Sequence, residues 1–162
     1  MADIAPPYAV RQLTIEDGMD IAAWRYPGAW AVYDALEPPR ADEGYWAVED
    51  AEGRLVGFCC FGEPARVPGL DADSRRLDVS IGMRPELMGK GYGDEFARAV
   101  VVHTHSIANG RGLRCVVAEW NTPGRRAAEA AGFVASGEYD VDSGDRAKRY
   151  VVYTQPARAQ AS

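Results

Sequence analysis

Cysteine is scarce in this chain, and so are the features of a secreted, metal-bound or membrane-spanning protein. Its 162 residues include three cysteines, Cys59, Cys60 and Cys115. An odd, sparse set argues against a disulfide framework and fits a reduced compartment, so the expected location is the cytoplasm. The two histidines, His103 and His105, stand two apart in a helix-like segment and do not share a face. No Cys/His cluster lies beside them in sequence, and no metal site is expected. No apolar run approaches the length of a membrane span, and the first residues carry no basic-then-apolar leader. Basic residues number 18 against 24 acidic, a net charge of −6. That balance argues against general nucleic-acid binding, which depends on neutralising phosphate. It is compatible with a cationic or amine substrate, though solubility explains it equally well.

What remains is an ordinary globular composition, 47% hydrophobic and 26% charged. The length suggests one domain over 1–162, with a core at 8–154 and a frayed tail from Pro156. Tyr8 to Leu13 reads as a strand, and Thr14-x-x-Asp17 as a capping box opening a helix that stops before Pro27. Ala29 to Leu36 reads as a second short helix. Strands follow at Tyr45 to Glu49 and Leu55 to Phe61, joined by a turn ending at Gly53, then at Arg76 to Met83. A loop from Glu63 to Arg75 separates the last two. Adjacent Cys59 and Cys60 point to opposite faces of their strand, as packing residues. Phe96, Ala99, Val100, His103 and Ile107 mark an amphipathic helix over Asp94 to Ala108. Gly112 to Glu119 is a fifth strand, and Thr122-Pro123 opens a helix that Gly132 ends. Phe133 to Asp140 and Arg149 to Thr154 close the chain as an antiparallel pair around a turn at Asp142 to Asp145. The class is mixed α/β with a largely antiparallel sheet.

The most informative segment is Met88-Gly89-Lys90-Gly91-Tyr92-Gly93, set between a strand and an amphipathic helix. A glycine turn at a helix start aims several N–H groups at one point, where aligned peptide dipoles add partial positive charge. That suits the phosphates of a nucleotide-like cofactor. It is not a P-loop, because Lys90 is followed by Gly91 rather than Ser or Thr. Nor does it have the Gly-x-Gly-x-x-Gly spacing of a dinucleotide fold.

This order of elements, with these motifs in place, resembles the GNAT superfamily of acyl-CoA-dependent N-acetyltransferases, from Tyr8 to Thr154. The turn at 88–93 is similar to the family's pyrophosphate motif. Asn121 and the Gly132-Phe133 pair fit its later landmarks, and Asp78 is the acidic residue near the start of its fourth strand. The resemblance implies a sheet of about seven strands flanked by about four helices, with strands four and five splayed apart. It implies acetyl-CoA as cofactor, with the pantetheine arm along Ile81, Gly82 and Met83. Met88, Gly89, Lys90, Gly91, Tyr92, Gly93 and Asp94 would hold the pyrophosphate, with charge from Lys90 or Arg84, and Asn121 would bond the arm. Met88 departs from the family's Gln or Arg. Ala128 departs further, because many members place a tyrosine there to protonate the leaving thiolate. Family members are often homodimers, though no self-complementary patch stands out here.

Deprotonating a lysine-like amine at pH 7 costs about 4.6 kcal/mol, and an α-amine about 1.4 kcal/mol. Losing CoA as thiolate forgoes only about 2 kcal/mol, so the reaction survives without that tyrosine. Asp78, directly or through water, is the first candidate base and Glu119 the second; pairing of Asp78 with Arg75 or Arg76 is the structural alternative. The Met83 N–H is a candidate carbonyl donor. Tyr139, Tyr150 and Tyr153 are candidate substitute acids. Trp24, Tyr26, Trp30 and Tyr33 would form an acceptor wall, with Glu63 facing a cationic substrate. The expected function is acetyl transfer to a primary amine, small-molecule or peptide, in a ternary complex. A non-catalytic acyl-CoA sensor is the alternative that Ala128 favours.

Overall fold

The computed structural model describes residues 3–141 and 149–158. The turn expected at 142–145 and the last four residues, 159–162, lie outside them. The strands are β1 (Ala9–Gln12), β2 (Tyr45–Glu49), β3 (Leu55–Phe61), β4 (Arg76–Met83), β5 (Gly112–Ala118), β6 (Val134–Asp140) and β7 (Arg149–Gln155). The α-helices are α1 (Ile15–Ala23), α2 (Gly93–Ile107) and α3 (Thr122–Ala130).

Local chemistry sets several of these boundaries. Thr14 accepts from the Asp17 N–H at 3.1 Å, and Asp17 accepts from the Thr14 N–H at 2.9 Å, the reciprocal capping box that starts α1. Arg11 closes over the same carboxylate at 2.6 Å. Gly132, at φ 97°, ends α3 by turning the chain into β6. Between β2 and β3 the buried Asp50 carboxylate accepts from the Glu52 and Arg54 N–H groups and the Arg54 guanidinium, which fixes the turn. One expected element differs. The second helix is a 3-10 helix over Gly28–Tyr33 rather than an α-helix to Leu36. Asp34 leaves helical geometry, and its carboxylate accepts from the Tyr26 N–H at 2.8 Å, closing the segment into a short strap.

All seven strands join one sheet in the order β1-β2-β3-β4-β5-β7-β6. Only β4 and β5 run parallel. α2 and α3 cover one face, over Val79, Leu113, Phe133 and the fully buried Tyr153. α1 covers the other, over Leu13, Ala47, Leu55 and Trp24. Cys59 and Cys60 are both buried, one on each side. No described helix is long and apolar enough to cross a membrane.

The feature that positions the site is a short ladder. β4 and β5 pair only from Arg76 to Asp78 against Gly112 to Arg114. Beyond that both strands continue, but apart. β4 stays with β3 as far as Met83, and β5 stays with β7 as far as Ala118.

Candidate active site

The main chain of β4 divides its hydrogen bonds between two sides. Arg84 N–H donates to Val56 C=O at 2.9 Å, and Gly62 N–H to Asp78 C=O at 3.0 Å. The antiparallel register therefore commits the even-numbered residues of β4 to β3. The N–H and C=O groups of Val79, Ile81 and Met83 face the opening left by β5. The Met83 carbonyl accepts the Tyr26 hydroxyl at 2.6 Å. Both groups of Ile81 and the N–H of Met83 remain placed to pair with an extended ligand, as an added strand would. Gly82 does not share this role. Its peptide groups belong to the β3 ladder, and a Cβ there would collide with the Phe58 ring on the α1 face. Its lack of a side chain serves packing.

Between the diverging strands lies a largely apolar cavity of about 110 Å³. Ile81, Val100, Cys115, Val117, Ala128 and Tyr33 are among its walls. Burial, with the nearby Asp78 charge second, pushes the Cys115 thiol up to about 12. It is a neutral thiol at neutral pH, a poor start for a covalent relay.

At the β4 end of the opening the chain passes through a 3-10 turn, Pro85–Leu87, into the glycine segment. Gly89 and Gly91 take φ of 74° and 86°, a region open chiefly to glycine. No neighbouring atom lies within 4 Å of a Cβ built at Gly89, Gly91 or Gly93. Crowding by the protein is therefore not what selects glycine there. Lys90 is exposed between them, and Met88 is half-buried. Tyr92, the residue before α2, makes no side-chain cap and packs its ring on the core. The first amides of α2, from Gly93 and Asp94 on, thus have no side-chain acceptor at the N-cap. The Asp94 and Glu95 carboxylates lie in the first turn and favour its dipole, so an anion there would use the Asp94 amide and not its side chain. Arg84 is not available to that site. It donates to Asp20 at 2.7 Å and to the Leu55 carbonyl at 2.9 Å, and lies 4.9 Å over the Trp24 ring.

Asp78 sits at the closed end of the opening, 3% exposed. Arg114 grips it with Nε at 2.6 Å and Nη2 at 3.1 Å, and Arg66 adds a contact at 3.2 Å. Neither Arg75 nor Arg76 is its partner; both turn to Asp73. A carboxylate held by two guanidinium groups has most of its acceptor capacity spent. Glu119 is exposed just past β5, where its main chain bonds Arg149 and Arg125. Asn121 caps α3, its Oδ1 accepting from the Gly124 N–H at 2.9 Å, while its Nδ2 donates to the Tyr33 hydroxyl at 3.1 Å.

The aromatic segment divides. Trp24 is core, buried against Phe58 with its indole N–H on Asp20. Tyr26, Trp30 and Tyr33 form the strap, which spans the open end from Met83 to Asn121. Trp120, which the sequence reading did not single out, completes the group, 4.9 Å from Trp30 and 5.8 Å from Tyr33. Its position directly after β5 was the available signal. Glu63 lies elsewhere, exposed beyond the end of β3, where Gly62 meets the closed end at Asp78. Arg66 and Arg114 were also missed, because their partner is fixed only by the fold.

Residues 10–134 match the acetyltransferase (GNAT) domain family. No curated protein matches the sequence. Among solved structures, a GNAT-family acetyltransferase from Bacillus anthracis superposes with a TM-score of 0.71 at 16% identity, covering 94% of this chain and 96% of that one. Spermidine N-acetyltransferase from Vibrio cholerae, in complex with CoA and spermine, gives 0.69 at 20% identity, with 93% and 95% covered. AAC(6')-Ib with ribostamycin and coenzyme A gives 0.71 at 16%, with 93% and 94% covered. Each likeness is one of fold.

Proposed function

The chain belongs to the GNAT family of acyl-CoA-dependent N-acetyltransferases, and from that premise we propose direct acetyl transfer from acetyl-CoA to a primary amine in a ternary complex. The observation that carries this reading is the opening between β4 and β5. On one polar edge the Ile81 groups and the Met83 N–H have no partner among the described residues, the interior is apolar, and the opening leads to the glycine turn and the start of α2. The acyl-pantetheine arm would lie along Ile81 and Met83. The amides of Gly89 to Asp94 would hold the pyrophosphate, the Met88 N–H being donated to the Pro85 carbonyl at 3.2 Å. The carbonyl of the thioester would be polarised by an N–H of the open edge, at Met83 or Ile81.

The acceptor would enter beneath the strap. Trp30, Tyr33 and Trp120 present aromatic surface there, which suits an amine that carries a second cationic group. Spermine and ribostamycin, bound by the two structural neighbours, both have that chemistry. In this reading Asp78 anchors Arg114 and Arg66, and Glu119, at the mouth, is the base acting through water. Main-chain positioning supplies most of the rate.

Calorimetry with acetyl-CoA, followed by thiol release with spermine, ribostamycin and phenethylamine, tests the reading. Binding with release on one amine supports it. Binding with none would favour the sensor that Ala128 suggests, and no binding would remove the cradle. Glu119→Gln should lower kcat/KM about 100-fold with acetyl-CoA affinity unchanged; an unchanged kcat/KM would take Glu119 out of the mechanism.

A further inference from the structure

Attack of an amine on a thioester expels a sulfur anion, and some group must give it a proton. The geometry points to Tyr33 as that donor: its side chain borders the cleft opposite Ala128, and Asn121 holds its hydroxyl so that the phenolic proton stays free for the sulfur. This inference rests on the acetyl-transfer reading above.

Three observations and one piece of helix geometry carry it. Tyr33 and Ala128 line the same cavity, one from the strap and one from α3. Helix side chains lean toward the helix N-terminus. A tyrosine at position 128 would therefore reach back along α3 toward Asn121, about 10 Å away along the axis. Asn121 is where the Tyr33 hydroxyl already sits. The Asn121 amide is oriented by Gly124, whose N–H its oxygen accepts, so its nitrogen is the donor and the Tyr33 oxygen the acceptor.

Of the other candidate phenols, Tyr150 is not among the cavity walls, and the rest are spent or misplaced. Tyr26 donates to the Met83 carbonyl and Tyr139 to the Pro68 carbonyl. Tyr153 accepts from Arg125 away from the cavity walls. Burial raises the Tyr33 phenol above its ordinary range, with Asn121 opposing, so it is protonated at neutral pH. Being 41% exposed, it has access to water for reprotonation.

The step balances. The amine nitrogen forms the C–N bond, the C–S bond breaks with its electron pair on sulfur, and sulfur takes the Tyr33 proton. The nitrogen loses its extra proton to water, and water returns one to the phenolate.

Tyr33→Phe provides the test, with coenzyme A as the first probe. The variant should bind CoA within about threefold of wild type, because the cradle is untouched. Its bound thiol, followed by thiolate absorbance against pH, should ionise about tenfold less readily for want of the phenol hydrogen bond. With acetyl-CoA and the fastest of the three amines above, kcat should fall about 100-fold at nearly constant KM. Adding Ala128→Tyr should restore much of it. An unmoved thiol titration would overturn the inference whatever happens to kcat, since a wall residue could also slow turnover. If Ala128→Tyr disturbs the cleft, the titration of the single variant still decides. Failure of the wild type to bind CoA would instead sink the cofactor reading, and this inference with it.

Discussion

The two ends of the β4–β5 pair are built from the same strands and treat polar groups in opposite ways. At the closed end Asp78, Arg114 and Arg66 satisfy one another in a buried cluster. At the open end the Ile81 groups and the Met83 N–H face a cavity, and the amides that begin α2 have no side-chain cap. Ile81 is 39% exposed, so water meets these open-end groups and they stay free to exchange it for a ligand. The closed end satisfies its own polar groups, and the proposed reading gives the open end to the ligand. Variants at the two ends should therefore fail in different assays.

The largest expected effect is at the open end. Gly91→Glu puts a side chain and a negative charge where phosphate would sit, at a backbone φ of 86°. Affinity for acetyl-CoA should drop by more than about 100-fold in calorimetry, with only the ~1–2 kcal/mol stability loss of a strained φ. Retained affinity would move the cofactor elsewhere. At the closed end Asp78→Asn leaves two guanidinium groups facing a neutral amide in a buried site. Urea unfolding should report a loss of about 3 kcal/mol, while turnover per folded molecule changes little. The reverse pattern, turnover lost and stability kept, would make Asp78 the base after all.

A smaller effect belongs to the strap. Trp120→Ala removes the partner of Trp30 and Tyr33 and should raise the KM for a polyamine about tenfold, with kcat within about threefold. An unchanged KM would remove the aromatic group from acceptor binding. The smallest effect lies outside both ends. His103 packs between Trp46 and Phe61 with its Nε2 buried and without a partner among the described residues, and burial lowers its pKa. The neutral ring is the one the fold favours. Its contribution is present above the ordinary histidine value of about 6.5 and is lost as pH falls below it. A His103→Leu variant should flatten that part of the Tm-against-pH curve; an identical slope would acquit the histidine.

Much of the fold was legible because it is written in local patterns. The bounds of β2, β3 and β4 follow from apolar runs between turn residues, and the start of α1 from a capping box within four positions. The glycine turn announced itself in the same way, through residues whose backbone freedom is a property of the chain alone. The strap was less legible. Helical spacing over 29–36 does not reveal that Asp34 will turn back on Tyr26 and hold a 3-10 turn instead.

The site's side chains divide along the same line. Asp78 was identified as the acidic residue of its strand, but its setting depends on Arg114, 36 residues away, and on Arg66. Tyr26 meets Met83 across 57 positions, and Asn121 meets Tyr33 across 88. Sequence by itself determined the elements, the glycine turn and the alanine at 128, because each rests on neighbours in the chain. Only the tertiary structure decided which carboxylate is spent, which carbonyl is covered and which phenol accepts from Asn121. Those outcomes follow from hydrogen bonds and burial between residues that the chain brings together only when β4 and β5 part.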